Sequence, residues 1–252
     1  MISREQLKKI AAVSGMHLYQ QEKDYLLKLF LYNYYRKFEG AVFKGGTCIK
    51  YLYGLNRFSE DLDFNLLNSS KEFETEVKKT LKEVSLAGIE NSFIKAERFK
   101  DAFTCEISCC GPLFAGSKQS RNKFRIDAGK RTGTFIEPEW QLVKSEYPET
   151  PENFLVKAMN EEELLAEKPH ALNSRKKGRD LYDAWFLVKK GVSLNRELLE
   201  KKFEGKKVKT PSFPTEEEYE RDMAKLSTHY VPFNQAVRDL TAFFKKTTRR
   251  NV

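Results

Sequence analysis

Residues 43–64 read FKGGTCIKYLYGLNRFSEDLDF and carry two short motifs at a defined distance. A GGT motif at 45–47 follows the apolar run 41–43 and precedes a helical pattern, which predicts a strand that turns directly into a helix. Thirteen residues further on, Asp61 and Asp63 alternate with apolar neighbours, and this period of two predicts a strand. Each motif alone is weak, because a bare GGT is usually a turn and a bare DxD is usually a solvated edge strand.

The two carboxylates of the DxD motif lie on one face of the predicted strand. Side chains alternate along a strand, so Asp61 and Asp63, which are two residues apart, point the same way. Like charges that face one way repel each other unless a cation compensates them. Mg²⁺ is typically bound by one or two carboxylates together with substrate phosphates. The pair therefore indicates a divalent-cation site.

The GGT motif has the chemistry of a phosphate site. Its glycines let the backbone approach a ligand closely, the helix N-terminus presents N–H groups, and Thr47 adds a hydroxyl donor. Further along, Asp127 is a lone acid between apolar or small neighbours on a predicted strand at 122–128. Two-metal nucleotidyl transfer requires such a set: one cation activates the attacking hydroxyl and the other holds the triphosphate and leaving group.

Two kinds of pattern surround these motifs. Ser3 and Gln6 form a capping-box signature before a helical region that runs to about residue 37, with a break near Gly15. A further helix carries Phe73 and Val77 on its apolar face. Strands are predicted at 89–98, 102–109, 122–128 and 134–140, and helices at 161–173, 178–190, 195–204, 216–228 and 234–247, with 205–214 as a linker. We therefore expect an α+β fold, with a mixed sheet and flanking helices in 1–150 and a mainly helical domain in 151–252.

Composition narrows the class of protein. The 252 residues are 40% hydrophobic and 13% aromatic, which excludes a disordered chain. No apolar run approaches the roughly 18–20 residues of a membrane span, and the start lacks the apolar region of a secretory signal, so we expect a soluble cytoplasmic protein without membrane contact. The net charge of +9 favours an anionic partner such as a nucleotide or RNA. The four cysteines form no CxxC pair and the three histidines are scattered, so a zinc site has no support and buried thiols are expected.

At this point the sequence resembles a known family, the AbiEii-type nucleotidyltransferases. This family belongs to the DNA polymerase β-like nucleotidyltransferase superfamily and includes toxins of type IV toxin–antitoxin and abortive-infection systems. The resemblance spans roughly residues 40–190. It is carried by Phe43 to Thr47, Arg57 to Phe64, Phe124 to Asp127, Glu137-Pro138-Glu139, Glu163 to Lys168, Ala171-Leu172, Arg175 and Arg179 to Asp183.

The resemblance implies a role for each matching residue. Gly45, Gly46 and Thr47 would bind the nucleotide phosphates, and Arg57 and Ser59 would approach the nucleotide. Asp61 and Asp63 would bind Mg²⁺ or Mn²⁺, with Asp127 as the third metal-binding carboxylate near the acceptor hydroxyl. Lys168 would reach the triphosphate, and Asp180 or Asp183 would complete the catalytic set.

Some of these residues also have a structural interpretation. Arg179 and Asp183 are four residues apart on a predicted helix and could form an ion pair that braces the fold. Glu60 is expected to shape the loop before the metal-binding strand. Pro169 departs from the family pattern, because proline removes a backbone donor and clashes with the preceding turn, so a kink at Glu167 is expected.

The basic residues could contact the phosphates of an RNA backbone, or they could form a solvated surface without a ligand. The cluster Lys168, Arg175, Lys176, Lys177 and Arg179 is the candidate phosphate track. Solvated surface is expected for the Lys-rich segment 201–209 and for the tail residues Lys245, Lys246, Arg249 and Arg250.

The sequence thus predicts a monomeric, Mg²⁺-dependent nucleotidyltransferase that moves NMP from an NTP to an acceptor hydroxyl. The expected acceptor is tRNA, and the expected role is the toxin of a type IV system with a cognate antitoxin. Two alternatives remain: a small-molecule or protein acceptor, and a non-catalytic nucleotide- or RNA-binding module. The retention of Gly46, Thr47 and all three aspartates argues against the second alternative.

Overall fold

The computed structural model describes residues 1–130, 133–203 and 211–248. Within these ranges the chain forms a seven-stranded sheet and nine α-helices. The strands are β1 (Ala41–Lys44), β2 (Asp61–Leu66), β3 (Asn91–Arg98), β4 (Ala102–Cys109), β5 (Asn122–Gly129), β6 (Glu139–Lys144) and β7 (Asn153–Ala158). The helices are α1 (Arg4–Ser14), α2 (Leu18–Tyr35), α3 (Gly45–Tyr53), α4 (Ser70–Leu86), α5 (Glu161–Arg175), α6 (Gly178–Lys189), α7 (Arg196–Lys202), α8 (Glu216–Met223) and α9 (Phe233–Thr248). The expected combination of a mixed sheet with helices is confirmed.

The chain divides into two compact units. The sheet unit comprises Met1–Leu52, Glu60–Thr132 and Pro138–Ala158, and the helical unit comprises Tyr53–Ser59, Gly133–Glu137 and Met159–Val252. The main division follows Ala158, a few residues after the expected boundary at 150, because β7 completes the sheet. Two short segments that precede the main division, Tyr53–Ser59 and Gly133–Glu137, therefore belong to the helical unit.

The sheet has the strand order β3-β4-β5-β2-β1-β7-β6. The pairs β2–β5 and β1–β7 are parallel, and the remaining neighbours are antiparallel. One face packs on α2 and α4 through an aromatic core in which Phe64 touches Phe73 at 5.5 Å between ring centroids. The strands that carry Asp63 and Asp127 are therefore covered on one face by these helices.

Helix ends follow the local sequence. Ser3 and Gln6 form the predicted capping box, and Gly15 ends α1 in the left-handed conformation, which separates α1 from α2 as expected. Thr215 forms a second capping box with Glu218 at the start of α8. These local signals determine where α1 begins and ends and where α8 begins.

The predicted strand at 134–140 is wrong, because β6 begins at Glu139. The backbone N–H groups of Phe135 and Ile136 donate to the carboxylate of Glu163, at 2.9 and 3.1 Å, instead of joining a strand ladder. Strand β7 was missed, since its short alternating pattern lies where a helical region was expected. The expected linker 205–214 and the Lys-rich segment 201–209 lie mostly outside the described residues, and Arg249 and Arg250 lie entirely outside them.

A buried ionic network links α3 to α2. Asp24 on α2 accepts from Lys50 on α3 at 2.6 Å and pairs with Lys28 at 3.3 Å, while the Tyr147 hydroxyl donates to it at 3.0 Å. Burial alone would raise the pKa of Asp24, but the two lysines lower it to about 2. Asp24 is therefore ionised at neutral pH and ties α3 to α2.

The remaining physical expectations concern membrane contact and thiols. None of the described helices is both long and apolar enough to cross a membrane. All four cysteines are free and buried, as expected. Burial raises the pKa of Cys105 and of Cys109 to about 12, so both thiols are protonated and unreactive at neutral pH.

Candidate active site

The three predicted metal-binding aspartates meet on one face of the sheet unit. Strand β2 runs parallel to β5, and their register places Asp63 beside Asp127 and Asp61 beside Arg125. Neighbouring strands lie about 4.8 Å apart, so side chains at matched positions are within reach of one another. The structure thus brings Asp61, Asp63 and Asp127 together from two strands that are about sixty residues apart in the sequence.

The turn from β1 into α3 lies directly against Asp63. Gly45 has a φ of +78°, and a Cβ atom added to it would lie 2.2 Å from Oδ2 of Asp63. Only glycine satisfies both the left-handed backbone and this close approach. The carboxylate and the N-terminus of α3 are therefore neighbours because position 45 lacks a side chain.

Thr47 connects the same turn to strand β2, which carries Asp61 and Asp63. Its side chain is fully buried, and its hydroxyl donates to the backbone carbonyl of Asp61 at 2.5 Å. This bond fixes the start of α3 on β2. Thr47 thus has a positioning contact in addition to the phosphate role expected for it.

Gly45→Ala should abolish nucleotide binding and destabilise the protein. The methyl group would collide with the Asp63 carboxylate, and the left-handed backbone alone costs about 1–2 kcal/mol for a residue with a Cβ. Gly15→Ala is the matched control, because Gly15 has a φ of +71° but a Cβ added there would meet nothing within 4 Å. Urea unfolding should show a loss in both variants, whereas titration with a fluorescent NTP should detect lost binding in Gly45→Ala only. Equal NTP affinity in the two variants would contradict the close approach.

Arg125 interacts with the third carboxylate. Its Nε lies 2.8 Å from Oδ2 of Asp127 and its Nη2 lies 2.9 Å from Oδ1, while the Thr104 hydroxyl donates to Oδ1 at 2.6 Å. The hydrogen bond to Asp127 raises the pKa of Arg125, and the charges of Asp61 and Asp63 act in the same direction. The motifs in the sequence did not single out Arg125, although its spacing of two residues from Asp127 places both side chains on one face.

A pocket of about 380 Å³ opens on this face beside Asp61. Four cationic and four anionic side chains line it: Lys23, Lys95, Lys123 and Arg125, with Glu60, Asp61, Glu97 and Glu106. Glu60 pairs with Lys23 of α2 at 2.9 Å, which fits the expected role of Glu60 in shaping its loop. The pocket can therefore hold a polar ligand next to the carboxylates.

The other predicted residues gather in the helical unit. Arg57 binds both oxygens of Asp183, with Nε–Oδ1 at 2.6 Å and Nη2–Oδ2 at 2.9 Å. Lys168 contacts Asp183 at 2.6 Å and Asp180 at 3.4 Å. Asp183 is only 1% exposed. Its partners are Arg57 and Lys168, whereas helical spacing offered Arg179 as one possible partner.

The charges of two neighbouring side chains keep Asp183 ionised. Burial would raise the pKa of Asp183, but Arg57 and Lys168 hold it well below the ordinary range of a carboxyl. Arg175 adds a contact to Asp180 at 3.0 Å. Ser59 lies at the end of the short segment that carries Arg57. Helix α5 continues through Pro169 to Arg175, so Lys168 projects from a continuous helix.

The donor chemistry of the aspartates fits a hard divalent cation. Asp61, Asp63 and Asp127 offer carboxylate oxygens on one sheet face, which are the ligands that Mg²⁺ prefers. Within the described ranges no three acidic, histidine or cysteine side chains converge as a ready-made metal cage. In the structure the Asp127 carboxylate is held by Arg125 and by the Thr104 hydroxyl.

A carboxylate pair against a strand-to-helix glycine turn, with a third carboxylate on the adjacent parallel strand, fits the chemistry of nucleotidyl transfer. Comparison with known families agrees: the family described as "Nucleotidyl transferase AbiEii toxin, Type IV TA system" matches residues 29–246. The chain therefore belongs to the AbiEii nucleotidyltransferase toxin family of type IV toxin–antitoxin systems, and the resemblance noted in the sequence is confirmed. Membership of this family implies an antitoxin partner.

Solved structures share the fold at low identity. The nucleotidyltransferase toxin MenT4 from Mycobacterium tuberculosis H37Rv superimposes with a TM-score of 0.74 at 16% identity, over 100% of this chain and 91% of MenT4. JHP933 from Helicobacter pylori gives a TM-score of 0.59 at 17% identity, over 90% of this chain and 91% of that one. No curated protein matches the sequence. The chain therefore shares its fold with these proteins, although their sequences are only 16% and 17% identical to it.

Proposed function

We propose that the chain transfers NMP from an NTP to a hydroxyl group of tRNA, with Mg²⁺ or Mn²⁺ as cofactor. The observation that carries this proposal is the contact of Asp63 with Gly45, which holds a carboxylate against a helix N-terminus. A phosphate at that N-terminus and a cation at that carboxylate would be direct neighbours. Only a substrate that presents both, such as a nucleoside triphosphate with its cation, uses this juxtaposition fully.

The residues of the sheet unit divide the chemistry between them. N–H groups at the start of α3 bind phosphate oxygens, with Gly46 leaving the backbone accessible. Asp61 and Asp63 would hold the divalent cation, and the chemistry it would supply is positive charge for the leaving pyrophosphate and for the acceptor hydroxyl. The acceptor oxygen forms a bond to the α-phosphorus as the bond from that phosphorus to the bridging oxygen of pyrophosphate breaks. Asp127 would be the third carboxylate of this cation site, near the acceptor hydroxyl, and would accept the hydroxyl proton, directly or through water.

Lys168 remains the candidate ligand of the triphosphate, with Asp180 and Asp183 as its partners. Its Nζ is already held by both aspartates, so binding phosphate would exchange one set of anionic oxygens for another. Arg57 keeps Asp183 ionised and fixed whether or not Lys168 stays in place. We therefore assign Arg57 a positioning role here in place of direct contact with the nucleotide.

Two surface features bear on the acceptor. The net charge of +9, with exposed basic residues between α5 and α6, favours a polyanion such as tRNA. The pocket beside Asp61 has equal numbers of cationic and anionic side chains, and this balance favours instead a small polar acceptor as the second candidate. Both acceptors would supply a hydroxyl to the same carboxylates.

Label transfer tests the proposal and separates the acceptors. Purified protein with Mg²⁺, total tRNA and each α-³²P-labelled NTP in turn should label tRNA, and EDTA should abolish the label. Affinity for tRNA should fall by at least about tenfold between 50 and 200 mM salt, since several phosphate contacts release counterions. Label that appears only on added small molecules, with tRNA unlabelled, would overturn tRNA as the acceptor and support the small polar acceptor instead.

A further inference from the structure

Arg125 lies beside the three aspartates Asp61, Asp63 and Asp127 of the sheet face. The guanidinium of Arg125 binds both oxygens of Asp127 and lies beside Asp61 in the strand register. Its side chain is about half exposed, so it can leave this position without opening the core. Arg125 thus has both the contact and the freedom to exchange partners.

The same oxygens would serve a divalent cation. An Arg–carboxylate pair occupies the lone pairs that coordination requires, and a second positive charge in the same place is electrostatically unfavourable. A cation shared by Asp63 and Asp127 therefore has to displace the guanidinium from Asp127. Thr104 can keep its bond to Oδ1 during this exchange, so Asp127 stays oriented.

We propose that Arg125 sets the divalent-cation affinity of the site by competing for Asp127. This inference rests on the proposed function, because it concerns the carboxylates assigned there to the cation. When released, the guanidinium stays at the wall of the pocket beside Asp61, where it adds positive charge next to the acceptor position. Arg125 is therefore a positioning residue that acts through Asp127.

Mn²⁺ binding, followed by electron paramagnetic resonance without NTP, tests the inference. Arg125→Gln should tighten Mn²⁺ binding by about tenfold, because the competing charge is removed. Arg125→Lys should give an intermediate affinity, since an ammonium keeps the charge but loses the two-pronged contact. The double variant Arg125→Gln with Asp127→Asn should lose the gain.

Lys123→Gln is the matched control. Lys123 lies on the same strand as Arg125, lines the same pocket and carries the same charge. The two differ in that the guanidinium bound to the Asp127 carboxylate belongs to Arg125. If Arg125→Gln and Lys123→Gln tighten Mn²⁺ binding equally, general charge explains the effect and the competition is overturned. Equal affinity in Arg125→Gln and wild type overturns the inference but leaves the metal site intact. Absence of Mn²⁺ binding in every variant overturns the metal assignment itself.

Discussion

Asp63→Asn is expected to reduce nucleotidyl transfer by about a thousandfold or more while leaving the fold intact. Asparagine has the shape of aspartate, so the contact with Gly45 is retained, but its amide has no negative charge to hold a cation. Removing one of three neighbouring carboxylates also relieves repulsion, so the free energy of unfolding should stay equal or rise slightly. Rates of label transfer at saturating NTP measure the first effect, and urea unfolding measures the second.

A matched substitution separates this effect from a general loss of charge. Asp101 is an exposed residue in the turn between β3 and β4, and Asp101→Asn removes the same charge from the same unit. It should transfer label at the wild-type rate. Turnover of Asp63→Asn within a few-fold of wild type would exclude Asp63 as a metal ligand.

Asp183→Asn is expected to lower the free energy of unfolding by about 3–5 kcal/mol at pH 7. The substitution leaves Arg57 and Lys168 buried without the anion that both of them contact. Because the folded-state pKa of Asp183 is lowered, its stabilising contribution is fully present above about pH 4, where the unfolded carboxyl is also ionised. The contribution is lost as pH falls from there through the folded-state pKa.

Urea unfolding at several pH values checks this result. The difference between wild type and Asp183→Asn should be constant near neutral pH and should shrink below about pH 4. Glu200→Gln, which breaks an exposed i,i+4 pair with Arg196, should change stability by less than about 0.5 kcal/mol. A stability of Asp183→Asn equal to that of wild type would mean that the buried cluster contributes nothing to the helical unit.

Local patterns predicted the secondary structure around the candidate site residues better than they predicted the side chains that contact those residues. The GGT and DxD motifs are short, and their periodicity alone places them on a strand-to-helix turn and on one strand face. The match of Asp63 with Asp127 depends on parallel pairing of distant strands, which no local pattern encodes. The alternation of side chains along a strand could have predicted that Arg125 and Asp127 share a face, because the two residues are two positions apart.

Buried charges were the hardest features to predict. Asp24 lies in a helix whose sequence also fits a half-exposed surface, and its pairing with Lys28 and Lys50 compensates for its burial. The pairing of Arg57 with Asp183 joins residues 126 positions apart, whereas helical spacing suggested Arg179. Such pairs are selected by tertiary structure, so sequence spacing offers the wrong neighbour.

The placement of Arg57 in the helical unit has a consequence for how the chain is made. Arg57 leaves the ribosome 126 residues before Asp183, which at 5–20 residues per second is roughly 6–25 s. During that interval the early segment Tyr53–Ser59 is present without the helices that enclose it. The helical unit therefore folds only late in synthesis, and premature termination before α6 yields a chain that lacks Asp183, the carboxylate that Arg57 binds.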